Sequence, residues 1–142
     1  KKLIDINYHI YGSPKYLEKH GFPKSTSDLN KHSFISFGRG APSPVYNPDW
    51  ALKLGTKDNK KRKTVMKVNS VYGLLLAVQS GVGLAALPDY ITVNQPNIVK
   101  VLPNIEGPIT EAHFVYPQSM KNVARVQAFR NFLYSKISEW EF

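Results

Sequence analysis

Apolar and polar residues alternate through Ile6, Asn7, Tyr8, His9, Ile10 and Tyr11, the period of two that marks a half-buried strand, and Gly12 ends the run. Ser13 then stands before Pro14 in S-P-K-Y-L-E-K-H-G, where a capping hydroxyl, a proline at the first helical position, a basic last turn and Gly21 predict a short helix. Residues 25–32 add one further helical turn, and Ser33–Phe37 reads as a strand closed by Gly38. The stretch G-R-G-A-P-S-P-V-Y-N-P at 38–48 is too rich in Gly and Pro for regular structure. Trp50, Leu52 and Leu54 alternate with Ala51 and Lys53, and T-V-M-K-V-N at 64–69 is rich in β-branched residues; together they predict an antiparallel strand pair.

Ser70 caps an apolar segment running to Ser80, a helix that Gly81 stops. Residues 84–87 form a short buried strand, Pro88 and Asp89 turn the chain, and I-V-K-V-L at 98–102 and E-A-H-F-V-Y at 111–116 supply two more strands. Val123, Val126, Phe129, Leu133, Ile137 and Trp140 recur at spacings of three and four, so an amphipathic helix is expected from about Ser119 to Glu139, burying one stripe. Strands alternating with helices give an α/β fold with a mixed sheet.

Composition narrows the function classes. The 142 residues fit one domain, and 42% apolar with 20% charged content is that of a globular chain. No apolar run approaches the roughly 20 residues of a membrane-spanning helix. The chain has no cysteine, which excludes disulfides, thiolate metal sites and cysteine nucleophiles and fits a reducing, cytoplasmic setting. K-K-L-I-D-I-N-Y at the start lacks both an initiator Met and a signal-peptide layout, so the chain is expected to be a piece of a longer protein.

Net charge is +9, from 19 Lys and Arg against 10 Asp and Glu. About half of that excess sits in K-D-N-K-K-R-K at 57–63, read as a solvated hairpin loop. With no aromatic residue interleaved to stack on bases, it offers at most an accessory, sequence-independent contact to DNA with steep salt dependence.

Gly81 and Gly83 invite comparison with nucleotide-binding loops, but a dinucleotide site needs strand, glycine turn, then helix. Here the glycines follow a helix and precede a strand, at the negative end of the helix dipole, so they end the helix and tighten the turn. The opposite end is the better site. There Asn69 and Ser70 lead into a helix whose first amides lack intrahelical acceptors, and Gly73, not Glu or Gln, stands at the third helical position. Such a helix start suits a carboxylate or similar small anion. His9, His20, His32 and His113 lack metal-ligand spacing, and no nucleophile elbow or phosphate loop occurs, so neither an enzyme nor a bound metal or cofactor is expected. His9 and His113 fall on strands near a presumed hinge, where one could sense pH or touch a ligand.

Four segments in series carry a family likeness: G-S-P-K-Y-L-E-K-H-G-F-P-K-S-T-S-D-L-N-K-H-S-F-I-S-F at 12–37, N-S-V-Y-G-L-L-L-A-V-Q-S-G-V-G-L-A-A-L-P at 69–88, I-V-K-V-L-P at 98–103, and V-Y-P with V-A-R-V-Q-A-F-R-N-F-L at 115–133. In them the chain resembles the effector-binding domain of LysR-type transcriptional regulators. The resemblance implies a type 2 periplasmic-binding-protein-like α/β fold of two subdomains joined by crossover strands. Subdomain II would be essentially complete, over about 12–116, while subdomain I would be represented only by crossover strands and its C-terminal helix at about 117–142. The winged helix-turn-helix would lie outside this chain.

The resemblance places the effector on Asn69, Ser70, Val71 and Tyr72, with Ser36, Phe37 and Gly38 as a second wall and Ser13 near a crossover. It further implies a small-molecule effector, DNA bound through the missing N-terminal domain, and a homodimer or tetramer. The rival readings are a fragment of a periplasmic-type solute-binding protein and a basic module that contacts nucleic acid.

Overall fold

The computed structural model describes residues 1–38, 47 and 49–140. Its centre is β2 (Tyr8–Gly12), paired antiparallel with β5 (Ala85–Pro88) on one side and β6 (Val99–Val101) on the other. The strands β3 (Phe34–Phe37) and β4 (Thr64–Val68) run parallel to each other. A parallel bridge between Phe34 and Leu84 joins them to the segment leading into β5. There the Ile35 N–H donates to the Leu84 carbonyl at 2.8 Å and the Leu84 N–H to the Ser33 carbonyl at 2.9 Å. The order is therefore β4-β3-β5-β2-β6, with β2 running against the others.

Helices cover both faces. On one lie α1 (Pro14–His20), α2 (Trp50–Lys53) and a 3₁₀ turn at Asp28–Lys31, enclosing Ile10, Leu17, Leu29, Phe34, Leu52 and Leu84. On the other, α3 (Val71–Gln79) sets Leu74, Leu75 and Val78 against Tyr11, Ile35 and Leu87. Each side chain so enclosed contributes about 1.5–3 kcal/mol of apolar burial. Two helical layers explain why β2 is buried at all five positions rather than on the alternate ones its sequence pattern implied.

A second pair, β1 (Lys2–Ile6) with β7 (Thr110–His113), is antiparallel and packs against α4 (Ala124–Ser138). The Tyr134 hydroxyl donates to the Lys2 carbonyl at 2.8 Å, and the Phe114 and Phe129 rings meet edge to face at 5.9 Å. The chain leaves this pair at Asn7, builds the large sheet, and returns between Val101 and Thr110.

Both serine caps form. Ser13 Oγ accepts from the Tyr16 N–H and Ser70 Oγ from the Gly73 N–H, each at 3.2 Å. Gly81 takes φ 79°, the left-handed conformation expected beyond a helix end. At Gly83 a Cβ would lie 2.5 Å from the Ser33 carbonyl oxygen, so a side chain there would break the β3–β5 junction.

Four expectations are corrected. Residues 50–53 are a turn of helix, the Leu54 N–H donating to the Trp50 carbonyl at 3.1 Å, because four residues are too few to display a helical period. Consequently β4 does not pair with them in an antiparallel hairpin; it pairs in parallel with β3. The basic run is not merely a solvated loop: it includes a 3₁₀ turn at Lys57–Asn59, and Arg62 Nη1 donates to the Ala51 carbonyl at 3.1 Å while its guanidinium lies 5.6 Å from the centre of the Phe34 ring. Finally, α4 begins at Ala124 after a 3₁₀ turn at Gln118–Met120, and its apolar stripe is only half-buried, with Phe129 54% exposed. Most of the Gly- and Pro-rich 38–48 segment lies outside the described residues.

Candidate functional site

The carboxyl ends of the parallel strands β3 and β4 point the same way, and α3 starts directly beyond β4. This is where open α/β sheets admit ligands. The Gly38 N–H donates to the Val68 carbonyl at 2.8 Å, which draws the end of β3 against the approach to α3. A Cβ on Gly38 would stand 3.7 Å from Asn69 Cβ, so these two residues are neighbours.

Ser70 is extended, at φ −138° and ψ 132°, and its carbonyl accepts the first helical bond from the Leu74 N–H at 3.0 Å. With Gly73 satisfied by the serine hydroxyl, the amides of Val71 and Tyr72 have no acceptor within the helix. No acidic side chain occupies the first turn, and Asn69, Ser70 and Tyr72 are exposed. Gly73 permits this close junction, since a Cβ there would lie 2.6 Å from Val68 Cγ1.

Beside the helix start is a narrow recess of about 30 Å³, bounded by Tyr8, Ser36, Phe37, Trp50, Val71 and Leu74 among others, none of them charged. The structure thus brings together Ser36, Phe37 and Val71 from the sequence-derived set. Asn69, Ser70, Tyr72 and Gly38 adjoin the recess along the chain without lining it. Ser13 is elsewhere: it is 1% exposed, and its Oγ would lie 3.5 Å from a Cβ on Gly81, past the far end of α3. The nine-residue helix separates these two places by about 13 Å.

Sequence reasoning missed Tyr8 and Trp50. Tyr8 stood on the strand as an ordinary apolar position; burial raises its hydroxyl pKa, so it stays a neutral donor. Trp50 was read as a strand residue, and its Nε1 is buried without an acceptor among the described residues. The arrangement sets an uncharged, largely apolar wall beside a helix start whose first amides have no acceptor within the helix.

A second polar assembly lies on β2. His9 Nδ1 is 2.9 Å from each Asp89 carboxylate oxygen, the Tyr11 hydroxyl donates to Asp89 Oδ1 at 2.9 Å, and Lys100 Nζ to Oδ2 at 3.0 Å. Asp89 is 4% exposed and His9 6%. Burial first, and then the neighbouring carboxylate, push the Tyr11 pKa far above its ordinary value. The sequence showed Asp89 only as a turn residue; the one available signal was that the polar positions of β2 are His and Tyr instead of Lys or Glu. His113, by contrast, is exposed beside Glu111 at 3.5 Å. Among the described residues no three His, Cys, Asp or Glu side chains are grouped to hold a metal, and no helix is long and apolar enough to cross a membrane.

Comparison with known proteins agrees with this architecture. An uncharacterized HTH-type transcriptional regulator of Haemophilus influenzae is 30% identical over 121 residues, which is 82% of this chain and 41% of that protein. The HTH-type transcriptional regulator CrgA of Neisseria meningitidis is 25% identical over 141 residues, 96% of this chain and 46% of its own. The chain therefore spans less than half the length of these curated relatives. Among solved structures, the CrgA regulatory domain superposes with TM-score 0.74 at 24% identity, covering 96% of this chain and 67% of that one. The effector domain of AmpR from Pseudomonas aeruginosa gives 0.68 at 19% identity, covering 97% and 64%. These likenesses establish a LysR regulatory-domain fold of the type 2 periplasmic-binding-protein kind. The family described as the LysR substrate binding domain matches residues 1–137, and the chain belongs to it.

Proposed function

We propose that this chain is the effector-sensing part of a LysR-type regulator, and that the effector sits in the recess beside the start of α3. The observation that carries this reading is the conjunction of amides at Val71 and Tyr72 that have no acceptor within the helix with an uncharged, concave wall at the carboxyl ends of β3 and β4. The amides favour a carboxylate or another small anion; Phe37, Trp50 and Leu74 favour an apolar body. Division into two lobes, with β2–β6 in one and β1, β7 and α4 in the other, would put the recess close to the two crossings of the chain. Effector binding would then bias the angle between lobes, which requires different affinities for the two arrangements. DNA binding by a further domain, a homodimeric or tetrameric assembly, a cytoplasmic setting and the absence of catalysis belong to the same proposal; the relatives' names, HTH-type transcriptional regulator, support its DNA-binding part.

A thermal-shift screen of small carboxylates, amino acids and aromatic acids, repeated on Ser70→Ala, tests the site. A stabilising compound whose effect is much reduced in the variant supports it. An effect untouched by the substitution places the effector elsewhere.

A further inference from the structure

Lys57, Lys60, Lys61, Arg62 and Lys63 surround a shallow depression of about 330 Å³. Two of these cations are committed internally. Arg62 Nε donates to the Asn30 side chain at 2.9 Å and its Nη2 to the Thr26 carbonyl at 3.3 Å, in addition to its bond to Ala51; burial accordingly lowers its pKa. Lys61 pairs with Asp49. The remaining three, Lys57, Lys60 and Lys63, are exposed, and among the described residues no acidic side chain lines the depression. They are also held in shape. The Arg62 N–H donates to the Leu52 carbonyl at 2.9 Å, the Lys60 N–H to the Lys57 carbonyl at 3.2 Å, and Asp58 and Asn59 take φ of 53° and 52° to turn the chain between them.

We propose that this depression binds the phosphate backbone of duplex DNA without reading its sequence, Lys57, Lys60 and Lys63 each displacing a counterion from one phosphate. Three features select this partner. The free charges are ammonium groups, which act as point charges for phosphate. Among the described residues that line it, neither an aromatic side chain nor a row of amide side chains is present to stack on or read bases. The whole chain carries +9, so a polyanion is attracted to it before contact is made.

Affinity for a labelled duplex of arbitrary sequence, measured by fluorescence anisotropy across a salt series, gives the test. Each neutralised phosphate contributes about −0.9 to the slope of log affinity against log salt, so the triple variant Lys57→Ala, Lys60→Ala, Lys63→Ala should flatten that slope by about 2.7 per protomer. The Lys→Arg triple variant should keep the parent slope, and circular dichroism should show both variants folded. An unchanged slope in the alanine variant overturns the proposal. So does a variant whose DNA slope persists while its binding to phosphatidylglycerol vesicles is lost, which would assign the depression to an anionic lipid surface.

Discussion

Two buried polar groups of this molecule are treated in opposite ways. The Asp89 carboxylate receives donors from His9, Tyr11 and Lys100, and Thr92 Oγ1 donates in turn to the Tyr11 hydroxyl at 3.1 Å. The indole N–H of Trp50 has no acceptor among the described residues, and the amides at the start of α3 are unpaired within their helix. A buried polar group left alone costs about 1–3 kcal/mol, so a fold that leaves one tolerates a cost it avoids elsewhere. The satisfied cluster holds β2, β5 and β6 together, whereas the unsatisfied wall is where the proposed effector would sit.

The comparison breaks most visibly at Asp89. Asp89→Ala leaves His9 and Tyr11 without their acceptor and should lower unfolding free energy by about 3–5 kcal/mol, read from urea unfolding; a change below about 1 kcal/mol would deny the cluster its structural role. Ser70→Ala removes one cap and should cost about 1 kcal/mol, seen as a small fall in melting temperature together with weaker effector stabilisation. Trp50→Phe removes an unpaired donor along with some apolar area, so the two effects offset and stability should stay within about 1 kcal/mol of the parent. If that substitution destabilises as strongly as Asp89→Ala, the indole N–H was not unsatisfied.

The smallest effect is expected at His32, a third kind of site. Its pKa lies below the ordinary 6.5, first because of burial and then because of repulsion from His20. The folded protein therefore binds fewer protons than the unfolded chain just below pH 6.5, and stability falls as pH drops through that value. Urea midpoints for the parent protein should decline between pH 7 and 5, and those of His32→Gln should decline less.

Local chemistry made much of this legible from sequence. Serine caps at positions 13 and 70, the left-handed glycine at 81 and the long periodic segment at the C-terminus are signals confined to a few adjacent residues, and the elements formed where these signals stood. The helix start at Ser70 was legible for the same reason. What failed depended on partners far along the chain. Residues 50–53 carry an alternation too short to distinguish helix from strand, and only the packing of Ala51 and Leu52 into the core against Phe34 decides it. Arg62 looks like any other member of a basic run until Thr26, Asn30 and Ala51 are brought beside it. Asp89 lies 80 residues from His9, so no local pattern could announce their contact.

A titration of the ¹⁵N-labelled protein with benzoate, followed by amide and indole N–H resonances, addresses the recess most directly. Occupancy at the start of α3 predicts saturable shifts at Val71, Tyr72 and the Trp50 indole, with His9 and Lys100 unmoved. Should benzoate and a wider panel of small carboxylates and aromatic acids bind while leaving those three signals in place, the effector is held by some other part of the protein.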